Sequence, residues 1–220
     1  MSRPLLITDC DEVLLHMLVH FSDWLGEAHG CEFRLEGGSF AEAVRDRATG
    51  APVDPGRIWP LLDQFFDAEM HRQNLVPGAI EALRAIGEEA EIVILTNLGD
   101  RHEAARIEQL ARFDINHRVL CNRGGKGRPV VELLGELGPS VAVFVDDLAV
   151  HHQSVAEHAP EVWRLQLIAE PKVAPHMPPA PFAHARIDAW EQAVPWIRAR
   201  FADGPAPTGA GSNPLILRRD

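Results

Sequence analysis

Five short, mostly apolar runs, Leu5–Thr8, Ile92–Thr96, Arg118–Cys121, Val141–Val145 and Val162–Leu167, set the limits on what this chain can fold into. From Ile92 onward they alternate with segments of helical periodicity, Arg101–Phe113, Pro129–Leu137 and Val150–His158, the second closed by Gly138 as a C-cap. Strands that are apolar on both faces and separated by helices belong to a parallel sheet with right-handed crossovers and helices on both sides. The interval Leu15 to Gly87 has no strand pattern and is expected to be a helical insertion. Its helices are expected over Val13–Ala28, Phe40–Arg47 and Pro55–His71, the last with Asp54 as N-cap and Pro55 in the first helical position. Gly37-Gly38 and Gly50-Ala51-Pro52 mark turns, and a helix Gly78–Glu88 leads back to the sheet. After Ala169 a proline-rich strap precedes a final helix, Ile187–Phe201. The expected organisation is a core of residues 1–15 and 86–201, an insertion of residues 16–85 and a flexible tail of residues 202–220. Within that tail Leu215-Ile216-Leu217 forms an apolar patch suited to docking on this chain or a neighbour.

A length of 220 residues with 46% hydrophobic content suffices for one sizeable α/β domain with an insertion. The formal charge of -11 argues against a surface built for nucleic acid or an anionic membrane, and leaves any anionic substrate to be met by local positive charge. Cys10, Cys31 and Cys121 are far apart and show no Cys-x-x-Cys spacing, which fits a reducing, cytoplasmic setting better than a disulfide framework or a zinc site. Asp9, Asp11 and Glu12 interrupt the first apolar run before a secretory leader can form, and Val13–Phe21 is too short to span a membrane.

The chemistry is expected where the strands end, because open parallel sheets gather ligands at their carboxyl ends. The first run ends in Asp9-Cys10-Asp11 and the fourth in Asp146-Asp147. In an extended segment Asp9 and Asp11 share one side, and Cys10 points away as a small buried hydrophobe. Three or four carboxylates in one place repel each other unless a hard cation holds them, and magnesium suits oxygen ligands and phosphate substrates. Thr96 and Asn97 after the second run, and Lys126 after the third, offer a hydroxyl, an amide and an ammonium to phosphoryl oxygens.

Asp9-x-Asp11, Thr96, Lys126 and Asp146-Asp147, in that order, resemble the four motifs of the haloacid dehalogenase (HAD) superfamily. The resemblance covers residues 1 to about 15 and 86 to about 170, and extends more loosely to the insertion, which stands where the superfamily carries its first type of cap. It implies an α/β, Rossmann-like three-layer core with a parallel five-stranded sheet and an inserted all-helical cap. It also implies roles: Asp9 as nucleophile and metal ligand, Asp11 as general acid and base with its backbone carbonyl on the metal, and Asp146 and Asp147 as further ligands. A second aspartate at the place of Asp11 goes with phosphatases and phosphotransferases. The implied activity is magnesium-dependent hydrolysis of a small phosphomonoester through an aspartyl-phosphate. A phosphomutase using the same site and a non-catalytic protein of the same fold are the alternatives. The partner is then a small phosphorylated metabolite, with no nucleic acid and no membrane; the identity of that metabolite and the oligomeric state stay open. Three departures stand out: Glu12 where many members have glycine, Lys126-Gly127-Arg128-Pro129 where many have proline directly after the lysine, and adjacent acids in the fourth motif.

Other features have simpler readings. Gly124-Gly125 can form an anion-binding nest or merely turn the chain. His16 and His20, one helical turn apart, are expected on a packed or solvated helix face, and adjacent His151 and His152 diverge on a helix and so do not share a metal. Arg45, Arg47, His71 and Arg72 are surface charges by default, with substrate contact from the insertion as the alternative.

Overall fold

The structure, a computed structural model, describes residues 2–34, 40–208 and 215–217. Strand β1 (Leu5–Thr8) leads into the insertion, which holds helix α1 (Leu18–His29), a two-stranded antiparallel pair β2 (Cys31–Phe33) and β3 (Val44–Asp46), and helix α2 (Ile58–Glu69). Helix α3 (Ala79–Gly87) returns the chain to β4 (Glu91–Thr96), followed by α4 (Glu103–Ala111), β5 (Arg118–Cys121), α5 (Gly127–Leu137), β6 (Ala142–Asp146), α6 (Ala149–His158) and β7 (Trp163–Gln166). Beyond the proline-rich strap come β8 (Ala185–Ile187), α7 (Trp190–Asp203) and β9 (Leu215–Leu217).

The main sheet is parallel throughout, in the order β5-β4-β1-β6-β7-β8-β9. Alternation along its strands divides the core into two layers. Leu6, Ile92, Ile94, Val143 and Val145 face α3, α4 and α7, and pack with Leu83, Leu110 and Trp190. Leu5, Ile7, Val93, Leu95 and Phe144 face the opposite way, onto Val130 and Leu133 of α5 and Val155 of α6. The result is an α/β/α sandwich.

Two expectations change. The sheet has seven strands, not five. β8 carries a charged residue at its centre, so it does not read as a strand from sequence, yet Arg186 is buried and paired with Asp188 at 2.9 Å while donating to the carbonyls of Ala174 and Met177 in the strap. β9 pairs with β8, so the apolar patch at Leu215–Leu217 docks on its own chain. The insertion is not all-helical. The helix expected over Phe40–Arg47 is a short 3-10 turn, Phe40–Glu42, followed by β3, whose pairing with β2 outweighs the weak helical pattern of so short a segment. The turn expected at Gly37-Gly38 lies outside the described residues.

The insertion has its own core, with Phe21, Trp24, Leu25, Val44, Ile58, Leu61 and Phe65 at its centre. Leu98, Ile168 and Val173 join that cluster from loops that follow β4 and β7. The insertion thus sits over the carboxyl end of the sheet, where the acidic strand ends lie.

Candidate functional site at the carboxyl ends of β1, β4 and β6

The register of the sheet brings the motifs together. Thr8 lies level with Ile94 on one side and with Val145 on the other, so β1 ends between β4 and β6. The Asp9 amide donates to the Val145 carbonyl at 2.8 Å, which places Asp9 beside Asp146. Asn122 N donates to the Thr96 carbonyl at 2.9 Å and aligns the loop after β5 with the end of β4. Lys126 directly precedes α5, and Gly127 lets that helix start against α6: its amide donates to Ser154 Oγ at 3.0 Å, and a Cβ there would stand 2.2 Å from the Ser154 carbonyl oxygen.

Lys126 is fully buried, with its ammonium 2.7 Å from Asp9 Oδ1 and 2.7 Å from Asp146 Oδ2. Burial works against that charge, but Asp146 and Asp9 outweigh it and push the lysine pKa up. Asp146 is further fixed by the Leu148 amide, 2.9 Å from Oδ1, and its own pKa falls because Lys126 overcomes the cost of burial. Asp9 fares differently. Burial, with Asp146 and Asp11 adding repulsion, raises it to about 7 despite Lys126. Asp147 is also raised well above the ordinary carboxylate range, by burial and by Asp146, Asp9 and Glu12. Its backbone is anchored by Gln166, whose Nε2 donates to the Asp147 carbonyl at 3.1 Å. Oxygens of Asp9, Asp146 and Asp147 all lie within 4.8 Å of one another. Three buried carboxylates share one ammonium, a donor set that fits a small hard cation.

Asp11 has a different set of partners, though it is near enough to Asp9 to add to the repulsion there. The strand stops at Thr8 and the chain turns over Cys10–Leu15, with the Leu14 and Leu15 amides both donating to the Cys10 carbonyl; Cys10 and Asp11 then meet the same Arg106 guanidinium, so these two neighbours do not point to opposite sides as in an extended segment. The Asp11 carboxylate meets Arg106 Nη2, 2.9 Å from each oxygen, Gln73 Nε2 at 2.6 Å and, more distantly, Thr96 Oγ1 at 3.4 Å. It is not among the three clustered carboxylates. Cys10 is fully buried, as expected of a small hydrophobe.

The amide of Asn97 is committed to neighbouring groups: its Nδ2 lies 2.9 Å from the Gly124 carbonyl and 3.3 Å from His151 Nε2, and its Oδ1 accepts from Asn122 at 2.9 Å. It therefore shapes the loop before Lys126. His152 lies under Phe144 and bonds the Asp146 carbonyl at 3.0 Å, so the adjacent histidines do diverge. His16 approaches Glu170 at 3.3 Å, His20 bonds Asn74, and Arg72 pairs with Glu27 at 2.7 Å.

Gln73 and Arg106 escape a reading of the sequence for motifs, and Glu12 stands out there only as a departure from glycine. Arg106 leaves one trace, a charged residue one turn before Leu110 on the helix face that turns inward. Glu12 adopts φ 62°, the left-handed conformation that favours glycine, so the glycine-like turn persists despite the side chain. Its Oε1 accepts the amides of Met17 at 2.8 Å and Leu18 at 2.6 Å and so caps α1. Burial raises this acid to about 7, against the pull of those two bonds.

Comparison with solved structures gives the same fold. The chain aligns over 92% of its length with 97% of a haloacid dehalogenase-like family hydrolase from Xanthomonas campestris, at 16% identity and a TM-score of 0.55. It aligns over 88% with 97% of the haloacid dehalogenase-like family protein SP0104 from Streptococcus pneumoniae, at 12% identity and a TM-score of 0.60. It aligns over 90% with 99% of the HAD-hydrolase YfnB of Bacillus subtilis, a structure described as bound to magnesium, at 11% identity and a TM-score of 0.61. No family model and no curated protein matches the sequence. The chain has the fold of the HAD-like hydrolases. No helix among the described residues is long and apolar enough to cross a membrane.

Proposed function

We propose that the chain is a magnesium-dependent phosphohydrolase acting on a small phosphomonoester. One observation carries this reading: the Lys126 ammonium lies 2.7 Å from both Asp9 and Asp146, with an Asp147 oxygen within 4.8 Å of theirs, at the carboxyl ends of neighbouring strands. Asp9 is the nucleophile. Its carboxylate oxygen forms a bond to phosphorus as the bond from phosphorus to the leaving oxygen breaks, giving an aspartyl-phosphate that water then hydrolyses. Asp11 moves the proton, first to the leaving oxygen and then from the attacking water. Lys126 sets positive charge against the phosphoryl oxygens, the main requirement in phosphoryl transfer. Asp9, Asp146 and Asp147, with the Asp11 carbonyl, would hold the magnesium ion, which supplies further charge of the same kind. The Thr96 hydroxyl lies beside Asp11 and serves as a phosphoryl donor; Asn97 supports the loop on which Lys126 stands. The insertion over the strand ends excludes water and selects the leaving group.

The test is release of inorganic phosphate from a panel of phosphorylated metabolites, with and without magnesium. We expect magnesium-dependent release that falls by about 10⁴-fold or more in Asp9→Asn, the scale of losing a covalent nucleophile. Unchanged turnover in that variant, or no release from any ester, would sink the reading.

A further inference from the structure

Arg106 is fully buried on α4, and both of its terminal nitrogens meet the turn that follows β1. Nη2 sits 2.9 Å from both oxygens of Asp11, and Nη1 lies 3.2 Å from Cys10 Sγ. Among the described residues Asp11 is its one ion-pair partner. Burying such a pair gives little net stability, because desolvation offsets the attraction, and an apolar pair of similar volume would serve the fold as well. A charge kept there at that cost, against one carboxylate of the site, points to a task for that carboxylate.

The other groups around the pair come from the insertion. Gln73, in the segment that leaves it, donates to Asp11 Oδ1 at 2.6 Å and is almost wholly buried. The Phe66 ring of α2 has its centroid 5.7 Å from the guanidinium carbon, within the range of a cation–π contact. Gln109, three residues on along α4, donates to the Met70 carbonyl. One face of α4 therefore holds the point where the chain enters the insertion, at Cys10 and Asp11, and the stretch where it leaves, Phe66 to Gln73.

We propose that Arg106 is a positioning residue: it fixes the orientation of the Asp11 carboxylate, and through Phe66 and Gln73 it makes that orientation depend on how the insertion is seated on the sheet. This inference rests on the phosphohydrolase reading and adds to it the side chain that aims its proton-moving group. Arginine suits the task because one nitrogen spans both carboxylate oxygens while the other is held by Cys10; lysine has a single ammonium with no such fork.

The experiment is a double-variant cycle on the full chain with an ester that the wild type hydrolyses, reading kcat, KM and thermal stability. Arg106→Gln is expected to lower kcat by about 100-fold, the low end of what a positioned acid or base contributes, with KM little changed. Arg106→Lys should recover part of the loss. In an Asp11→Asn background the Arg106 substitution should cost nothing further in kcat, since the two act as one unit. Gln73→Leu, which leaves the ion pair intact and guards against misfolding of the arginine variants, should lower kcat by about tenfold. Equal losses with and without Asp11, a raised KM at unchanged kcat, or wild-type kcat in Arg106→Gln would overturn the role of Arg106 and leave the phosphohydrolase reading standing. A wild type that releases phosphate from no ester would remove both.

Discussion

The two aspartates of Asp9-Cys10-Asp11 belong to two differently balanced regions. On the sheet side, Asp9 and Asp146 pair with one ammonium beside Asp147, and the carboxyls of Asp9 and Asp147 are driven up by burial and by neighbouring carboxylates. On the insertion side, Asp11 faces a single fully buried guanidinium and a carboxamide, charge for charge. The first region is short of positive charge; the second sets one carboxylate against one guanidinium. The difference separates a cluster whose donor set fits a cation from a place that holds one side chain against a single counter-charge.

Removing Lys126 breaks the comparison most severely. Lys126→Met leaves Asp9 and Asp146 buried without their shared counter-ion, and breaking a buried pair in this way costs on the order of 3–5 kcal/mol. Denaturant unfolding without divalent metal should show a loss of that size, with turnover down by about 100-fold or more. A variant as stable as the wild type under those conditions would mean that the sheet-side carboxylates are not short of charge.

Glu12, next in sequence to Asp11 and within electrostatic reach of Asp147, tests the boundary between the regions. Its folded pKa of about 7 lies above the ordinary value of 4.5. Its contribution to stability is therefore full below about pH 4.5 and is lost as pH rises through about 7. Glu12→Gln has no such titration, so in metal-free buffer its stability relative to the wild type should improve by up to about 3 kcal/mol between pH 4.5 and pH 8. A difference that stays flat with pH would place the Glu12 carboxyl in water.

The smallest effect concerns the cation itself. With the Asp9 carboxyl at about 7, the proposed magnesium ion would have to displace a proton at lower pH, so its affinity should rise by about tenfold from pH 6 to pH 8. Calorimetry in two buffers of different ionisation enthalpy would detect the released proton. Asp11→Asn should leave that affinity nearly unchanged, while Asp147→Asn should weaken it; equal weakening by both would erase the distinction between the two regions.

The sheet-side region was legible because its parts are local. Buried parallel strands write themselves as apolar runs, and a polar residue that ends such a run falls at the sheet's edge whatever the loops do: Asp9, Thr96 and Asp146 end such runs, and Lys126 stands in the loop after another. The insertion-side region was not legible. Arg106 and Gln73 lie far from Asp11 in sequence, in segments with no motif, and only the packing of α4 under the insertion brings them to it. The strands β2, β3, β8 and β9 escaped for a related reason, since each has three residues and gains its conformation from a partner strand.

The sequence by itself determined the parallel α/β core, the place of the insertion and the identity of the strand-end acids, because hydrophobic periodicity and strand termination are properties of contiguous residues. Tertiary structure alone decided which way each carboxylate turns and which cation it meets. An isolated turn after β1 gives Asp11 no reason to meet Arg106 and Gln73. That choice is made by a buried guanidinium, which needs a counter-charge in a place where water cannot supply one.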